Sequence, residues 1–201
     1  RSSAASDVYK RQYKNVLKKD KNNVDALRLL GLLATKNRKY SVAEKLFTRA
    51  INLQPYYKLL WDNLAKCYRF QNKLTEAKKA FTNLLKLDPN NFEAIGASAT
   101  MSIRLGQYKE GIHLYKELLK FQNNNPRVHL SMGHAYKTIG ERSNSENAYH
   151  MAIEQFPLCG EGYWSLENLK TYEFSDDQLT RANGGVLINP STGDTLSLIH
   201  I

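Results

Sequence analysis

Trp61-Asp62-Asn63-Leu64-Ala65-Lys66-Cys67-Tyr68, followed by Ala77-Lys78-Lys79-Ala80-Phe81 and then Asp88-Pro89-Asn90-Asn91, is the stretch whose reading decides the fold. Its apolar residues return every three or four positions, which is the period of a helix and not the alternation of a strand. Pro89 lacks an N–H and ends the second helical run. The Asp and Asn residues around it suit a turn and the start of a further helix. Residues 58–91 therefore read as helix, turn, helix and stop.

The same pattern recurs at a step of 34 residues in both directions. Pro55 and Pro89 lie one step apart, and Pro157 lies two steps further on. Phe47, Phe81, Tyr115 and Tyr149 keep the step, as do Gly31, Ala65, Ala99 and Gly133, and also Ala50, Leu84, Leu118 and Ala152. The units are 24–57, 58–91, 92–125 and 126–159. The small residue in the eighth place lets the first helix approach the second, and the aromatic in the twenty-fourth place fills the gap towards the next unit. In the first unit Leu27, Leu30, Leu33 and Ala34 lead into Ala43, Leu46, Phe47 and Ala50 as core. The expected fold is all-α, a right-handed α-solenoid of helix-turn-helix repeats. The third unit has Asn123 in place of proline, with Ser98 and Gly111 at packing places, and is expected to be the least tightly packed. Pro126 opens the fourth unit, where Ser145 stands at a place usually held by Ala.

Outside the four units the reading changes. Residues 13–23 have the character of a partial repeat helix, with Tyr13 in the aromatic register. Residues 160–177 read as a capping helix that buries Tyr163, Leu166 and Leu169. Residues 178–201 have no helical period and many turn formers, so a structureless tail is expected. Asp7–Gln12 can be encoded by GAT GTG TAT AAG AGA CAG, and the reverse complement of that DNA encodes Leu196–Ile201. The two ends thus read as one sequencing adapter translated from both strands, leaving 1–12 and 196–201 outside the fold and the natural protein cut at both ends.

Composition narrows the function classes. With 42% apolar and 24% charged residues, the chain is globular in character. No run of about 18 apolar residues is present, so no membrane span is expected. No signal peptide opens the chain, and its two cysteines, Cys67 and Cys159, have no metal-type spacing, so a cytoplasmic location with reduced thiols is expected. The formal charge is +10. The cations are nevertheless spread along helices, without a compact basic block or an interleaved aromatic platform, which argues against nucleic acid.

The first helices of the units line the concave side of such a stack. In this register the candidate peptide-binding residues are Arg28, Lys36, Asn63, Lys66, Arg69, Arg104, His134 and Lys137, with Asp25, Asp62 and Glu93 nearby. The lysines and arginines would pair with the carboxylates of an acidic, extended protein or peptide partner, and Asn63 would hydrogen-bond its backbone. No metal, cofactor or catalytic group is expected. His113, His129, His134 and His150 fall on different helical faces with no carboxylate partner in the local sequence. There is no Gly-x-Ser-x-Gly elbow, and Gly184-Gly185 lacks the spaced glycine and Lys-Ser/Thr of a phosphate loop.

The run Trp61-x-x-Leu64-Ala65-x-x-Tyr68, Ala77-x-x-x-Phe81 and Pro89 resembles the tetratricopeptide repeat consensus, with Ala65 for the usual Gly. Tyr163-Trp164-Ser165-Leu166-Glu167-Asn168-Leu169-Lys170-Thr171-Tyr172-Glu173-Phe174-Ser175-Asp176-Asp177 resembles the junction at which a bacterial repeat array leads into a sulfotransferase domain. Asn22–Gly31 and His134–Gly140 are similar to the same family. This resemblance implies a recruiting or scaffolding arm of a bacterial enzyme that uses a phosphosulfate nucleotide. No catalytic residue carries over, because the chain stops before a loop of Pro-Arg-Ser-Gly-Thr type, and the chain itself is expected to be inactive. A stand-alone adaptor or co-chaperone-like scaffold, or the repeat region of a glycosyltransferase, fits the same residues.

Overall fold

The computed structural model describes residues 2–169 and the pairs Leu187–Ile188 and Thr195–Leu196. The chain divides into two compact units, Arg1–Gln107 and Tyr108–Ile201. In the first unit, α1 (Ser2–Lys19), α2 (Val24–Lys36), α3 (Tyr40–Leu53), α4 (Lys58–Phe70), α5 (Leu74–Leu87) and α6 (Phe92–Arg104) follow one another. Each packs on the next in the chain. The second unit holds α7 (Tyr108–Leu119), α8 (Pro126–Thr138), α9 (Arg142–Gln155) and α10 (Gly160–Glu167), again packed in order.

Helix starts and stops follow from single residues. Asn23, Asn91 and Asn125 accept a hydrogen bond on their side-chain oxygen from the N–H of Ala26, Ala94 and Val128 at 2.9, 3.0 and 3.3 Å, so three first helices carry an asparagine N-cap. Pro126 occupies the first turn of α8, where a missing N–H costs nothing. Gln54, Asp88 and Phe156 each precede a proline and are extended, with φ of −138°, −146° and −142°, because proline crowds the residue before it out of the helical region. That stops α3, α5 and α9.

Between the two helices of each pair the chain passes once through the left-handed region, at Arg38, Asn72, Gly106 and Gly140, with φ of 56°, 58°, 76° and 80°. The residue after each one closes the helix by donating its N–H back to a carbonyl: Lys39 to Ala34, Lys73 to Tyr68, Gln107 to Ser102 and Glu141 to Tyr136, at 2.8–3.0 Å. This is the Schellman-type end that a left-handed residue permits.

Within each unit the core lies between successive helices. Phe47, Phe81, Tyr115 and Tyr149 are buried. Phe47 joins Leu27, Leu60 and Leu64 in one cluster, and Tyr149 joins Leu130, Tyr163 and Leu166 in another. Gly31 and Gly133 lie directly under Phe47 and Tyr149, leaving no room for a Cβ. Ala65 shares a cluster with Phe81. Ser145, standing where alanine is usual, is fully buried and donates its hydroxyl to the Gly133 carbonyl at 2.9 Å.

Two expectations need correction, and a third falls partly outside the described residues. Residues 2–12 are helical and continuous with the residues that follow, since α1 contains no Gly or Pro and half of it is Lys, Ala, Arg, Gln and Leu, good helix formers. α10 ends at Glu167, with Asn168 as its C-cap, and residues 170–177 of the expected capping helix lie outside the described residues. In the tail, Leu187 pairs with Leu196 and Ile188 with Thr195 in an antiparallel ladder. Two short aliphatic or β-branched runs around a stretch rich in Pro, Gly, Asn and Asp have the composition of a hairpin.

Candidate functional site

α4 has two adjacent stripes, about 100° apart around the helix. Leu60, Leu64 and Cys67, spaced i, i+4, i+7, are buried. Leu59, Asn63 and Lys66 hold the same spacing one residue earlier; Leu59 has 47% of its surface exposed, and Asn63 and Lys66 are half-buried. Trp61 is fixed by its indole N–H, which donates to the Pro55 carbonyl at 2.8 Å. The Asn63 amide has no side-chain hydrogen bond among the described residues, so its donor and acceptor are available to a peptide backbone.

Lys66 is committed. Its Nζ lies 3.0 Å from Asp62 Oδ2 and 3.0 Å from Glu93 Oε1 on α6. Partial burial works against its charge, but the hydrogen bonds to the two carboxylates outweigh that and raise its pKa. Arg28 on α2 is held more loosely, its Nε 3.7 Å from Asp25 Oδ1 and without a hydrogen bond. Lys36 in the last turn of α2 and Arg69 in the last turn of α4 are exposed and form no ion pair among the described residues. The Arg69 guanidinium lies 6.0 Å from the Phe70 ring centre, and Phe70 in turn stacks on Tyr40 at 5.9 Å. Arg104 ends α6 and donates to Asn72 Oδ1 at 2.6 Å.

In the second unit, His134 on α8 is bonded on both ring nitrogens. Tyr149 Oη lies 2.9 Å from Nδ1, and Glu161 Oε1 lies 3.2 Å from Nε2. In the neutral ring the hydroxyl donates to Nδ1 and the Nε2 proton faces the carboxylate. Burial pushes the Tyr149 hydroxyl pKa up, so it stays protonated. Lys137 stands exposed in the last turn of α8.

The structure therefore places Arg28, Lys36, Asn63, Lys66, Arg69 and Arg104 in the first unit, and His134 and Lys137 in the second. The expectation that no carboxylate accompanies a histidine is corrected by Glu161. Glu161 comes from the following helix, 27 residues on, which local sequence does not reveal. The Lys66–Glu93 pair spans the same 27 residues, the ninth place of one repeat to the second place of the next. Leu32 and Leu59 occupy those same two places one repeat earlier, and both are exposed. Reading places nine and two together along the chain would have found both ion pairs.

Cys67 and Cys159 are free and buried. Among the described residues no group of three or more His, Cys, Asp or Glu could hold a metal ion, and no helix is long and apolar enough to cross a membrane.

Two family profiles, each described as tetratricopeptide repeat, match residues 10–58 and 71–134, together more than half of the chain. The tetratricopeptide repeat-containing protein trd-1 of Caenorhabditis elegans is 29% identical over 135 residues, 67% of this chain and 18% of that protein. The Hsp70-Hsp90 organizing protein 1 of Glycine max is 24% identical over 127 residues, 63% of this chain and 22% of that protein. The chain thus spans less than a quarter of the length of these relatives. Among solved structures, a MamA protein superposes with a TM-score of 0.70 at 21% identity, covering 87% of this chain and 90% of that one. YrrB, described as a TPR protein with an unusual peptide-binding site, superposes at 0.68 with 14% identity, covering 86% and 91%. At these identities the likeness establishes the helical repeat fold, an α-solenoid.

Proposed function

The chain belongs to the tetratricopeptide repeat family, and from that premise we propose that it is a protein-interaction module that holds an extended, acidic segment of a protein partner against its first helices. The observation that supports this reading most is the stripe of α4 that carries Leu59 and Asn63. Leu59 offers an exposed apolar contact and Asn63 an uncommitted amide, on a helix whose other stripe is locked into the core. An apolar contact beside a backbone-reading amide is what an extended peptide needs. Lys36 and Arg69 in the first unit, which form no ion pair among the described residues, supply the preference for acid there.

Selection of displayed random peptides against the chain tests this. Binders should be enriched in Asp and Glu, should weaken as salt rises, and should lose affinity on Asn63→Ala combined with Leu59→Ala. Binders indifferent to that pair, or no binders at all, would overturn the reading.

We further propose that the array is the recruiting arm of a sulfotransferase, a reading supported by the resemblance of residues 163–177 to the junction segment of that family. A second reading, an adaptor or co-chaperone-like scaffold, is favoured by the similarity to the Hsp70-Hsp90 organizing protein. Sequencing the coding DNA beyond residue 177 separates them. A phosphate-binding loop within a few tens of codons supports the enzyme arm, and a stop codon the adaptor.

A further inference from the structure

The two units differ in charge. Residues 1–107 contain 21 Lys and Arg against 8 Asp and Glu, whereas residues 108–201 contain 8 against 11. The chain's whole positive excess therefore sits in the first unit. Within that unit most carboxylates are already taken: Asp25 by Arg28, Glu44 by Lys73, Asp62 and Glu93 by Lys66, and Asp88 by Lys58.

Five of the cations outside these ion pairs share one edge. The C-terminal ends of α2, α4 and α6 share an edge of the first unit, because α2 and α4 are each followed by the turn into a helix that runs back and α6 repeats their direction. Lys36, Arg38, Lys39, Arg69 and Arg104 lie there, and none pairs with a carboxylate among the described residues. Cations near helix C-termini complement the helix dipole, which accounts for one or two of them. It does not account for Arg38. That residue holds φ of 56° where the equivalent places one, two and three repeats on are Asn72, Gly106 and Gly140. A long side chain kept where glycine costs least points to a use for its guanidinium. Arg69 and Arg104 are also held in place, one against Phe70 and the other by Asn72. At the matching places of the second unit stand Gly140 and Glu141.

Resting on the reading above, we infer that the acidic segment of the partner docks on this edge of the first unit, its carboxylates forked by Arg38, Arg69 and Arg104, and not on Lys66. Lys66 already carries two carboxylates of its own. Guanidinium groups match carboxylates in paired hydrogen bonds. Among the described residues the exposed aromatic at the edge is Phe70, which is already engaged by Tyr40 and Arg69 and so provides no open ring for stacking a base.

The test uses the full chain with a glutamate homopeptide, an oligothymidylate and phosphatidylserine vesicles as probes. Arg38→Gly with Lys39→Gln removes two edge charges at places where Gly106 and Gln107 show the backbone accepts the replacements. Lys79→Gln with Lys86→Gln removes the same charge from α5. The edge pair should weaken the glutamate peptide about tenfold and leave the melting temperature equal or higher, while the α5 pair should weaken it far less. Equal weakening by both pairs would reduce the effect to net charge and overturn the inference. So would tighter, edge-dependent binding of the oligothymidylate or the vesicles. If the displayed peptides depend on Leu59 and Asn63 but the glutamate peptide ignores the edge, the inference falls while the interaction module stands.

Discussion

The ring of Phe47 lies over Gly31 so closely that a methyl group there would stand 2.7 Å from Cζ and 2.8 Å from Cδ1. Tyr149 covers Gly133 in the same way, with Cδ1 and Cζ at 2.6 and 2.9 Å from such a methyl. Gly31→Ala and Gly133→Ala should each cost about 1–3 kcal/mol, because neither ring can leave a filled core without strain. Ala65→Gly should cost only about 1 kcal/mol, since that repeat already accommodates the methyl beside Phe81. Removing the ring, as in Phe81→Ala, should cost about 3–5 kcal/mol. Urea unfolding of the four variants checks the order, and a Gly31→Ala variant as stable as the parent would mean the ring is free to move.

Arg38→Gly should raise stability by about 1 kcal/mol, since a left-handed backbone no longer has to carry a Cβ. Gly106→Ala should lower it by a similar amount for the converse reason; nothing lies within 4 Å of the added Cβ, so the effect is conformational and not steric. Thermal melts of both variants should move in opposite directions. The same Arg38→Gly change that stabilises the chain is expected to weaken an acidic ligand, and this separates binding from folding.

The helical period, the 34-residue step and the buried aromatics were legible in the sequence because each depends on residue type at a place within one repeat. The left-handed turn was half legible: Gly106 and Gly140 announce it, while Arg38 and Asn72 conceal it. The pairs Lys66–Glu93 and His134–Glu161 were hidden because their partners come from successive first helices. Their places emerge only when the repeats are stacked. The state of the cations was hidden for the same reason. Lys66 and Arg69 look alike in sequence, yet the first is neutralised by two carboxylates and the second pairs with none among the described residues.

Ser98 and Ser102 are buried on α6, and neither hydroxyl has a hydrogen-bond partner among the described residues. A buried hydroxyl without a partner has lost its hydration for no return. Ser102→Ala should therefore raise stability by about 1 kcal/mol, read as a higher urea midpoint with an unchanged slope. A loss of stability on this substitution would show that the hydroxyl is bonded in solution.

Cys159 is fully buried beside Ile153 and Tyr163, and burial pushes its thiol up to about 11 from an ordinary value of 9.0. The Gly162 N–H beside the sulfur pulls the other way but does not compensate. The folded chain therefore keeps this proton at a pH where the unfolded chain has released it. Stability from this group is intact below about pH 9 and is lost as pH rises towards 11, by about 2–3 kcal/mol across that window. Cys159→Ala should flatten the alkaline limb of the stability profile and leave its slope below pH 8 unchanged. In the parent, a thiol reagent at pH 8 should label neither Cys159 nor the similarly buried Cys67 until urea opens the fold, because the thiolate is the reactive species. Fast labelling of Cys159 in the folded chain at that pH would place the thiol in water and end the argument.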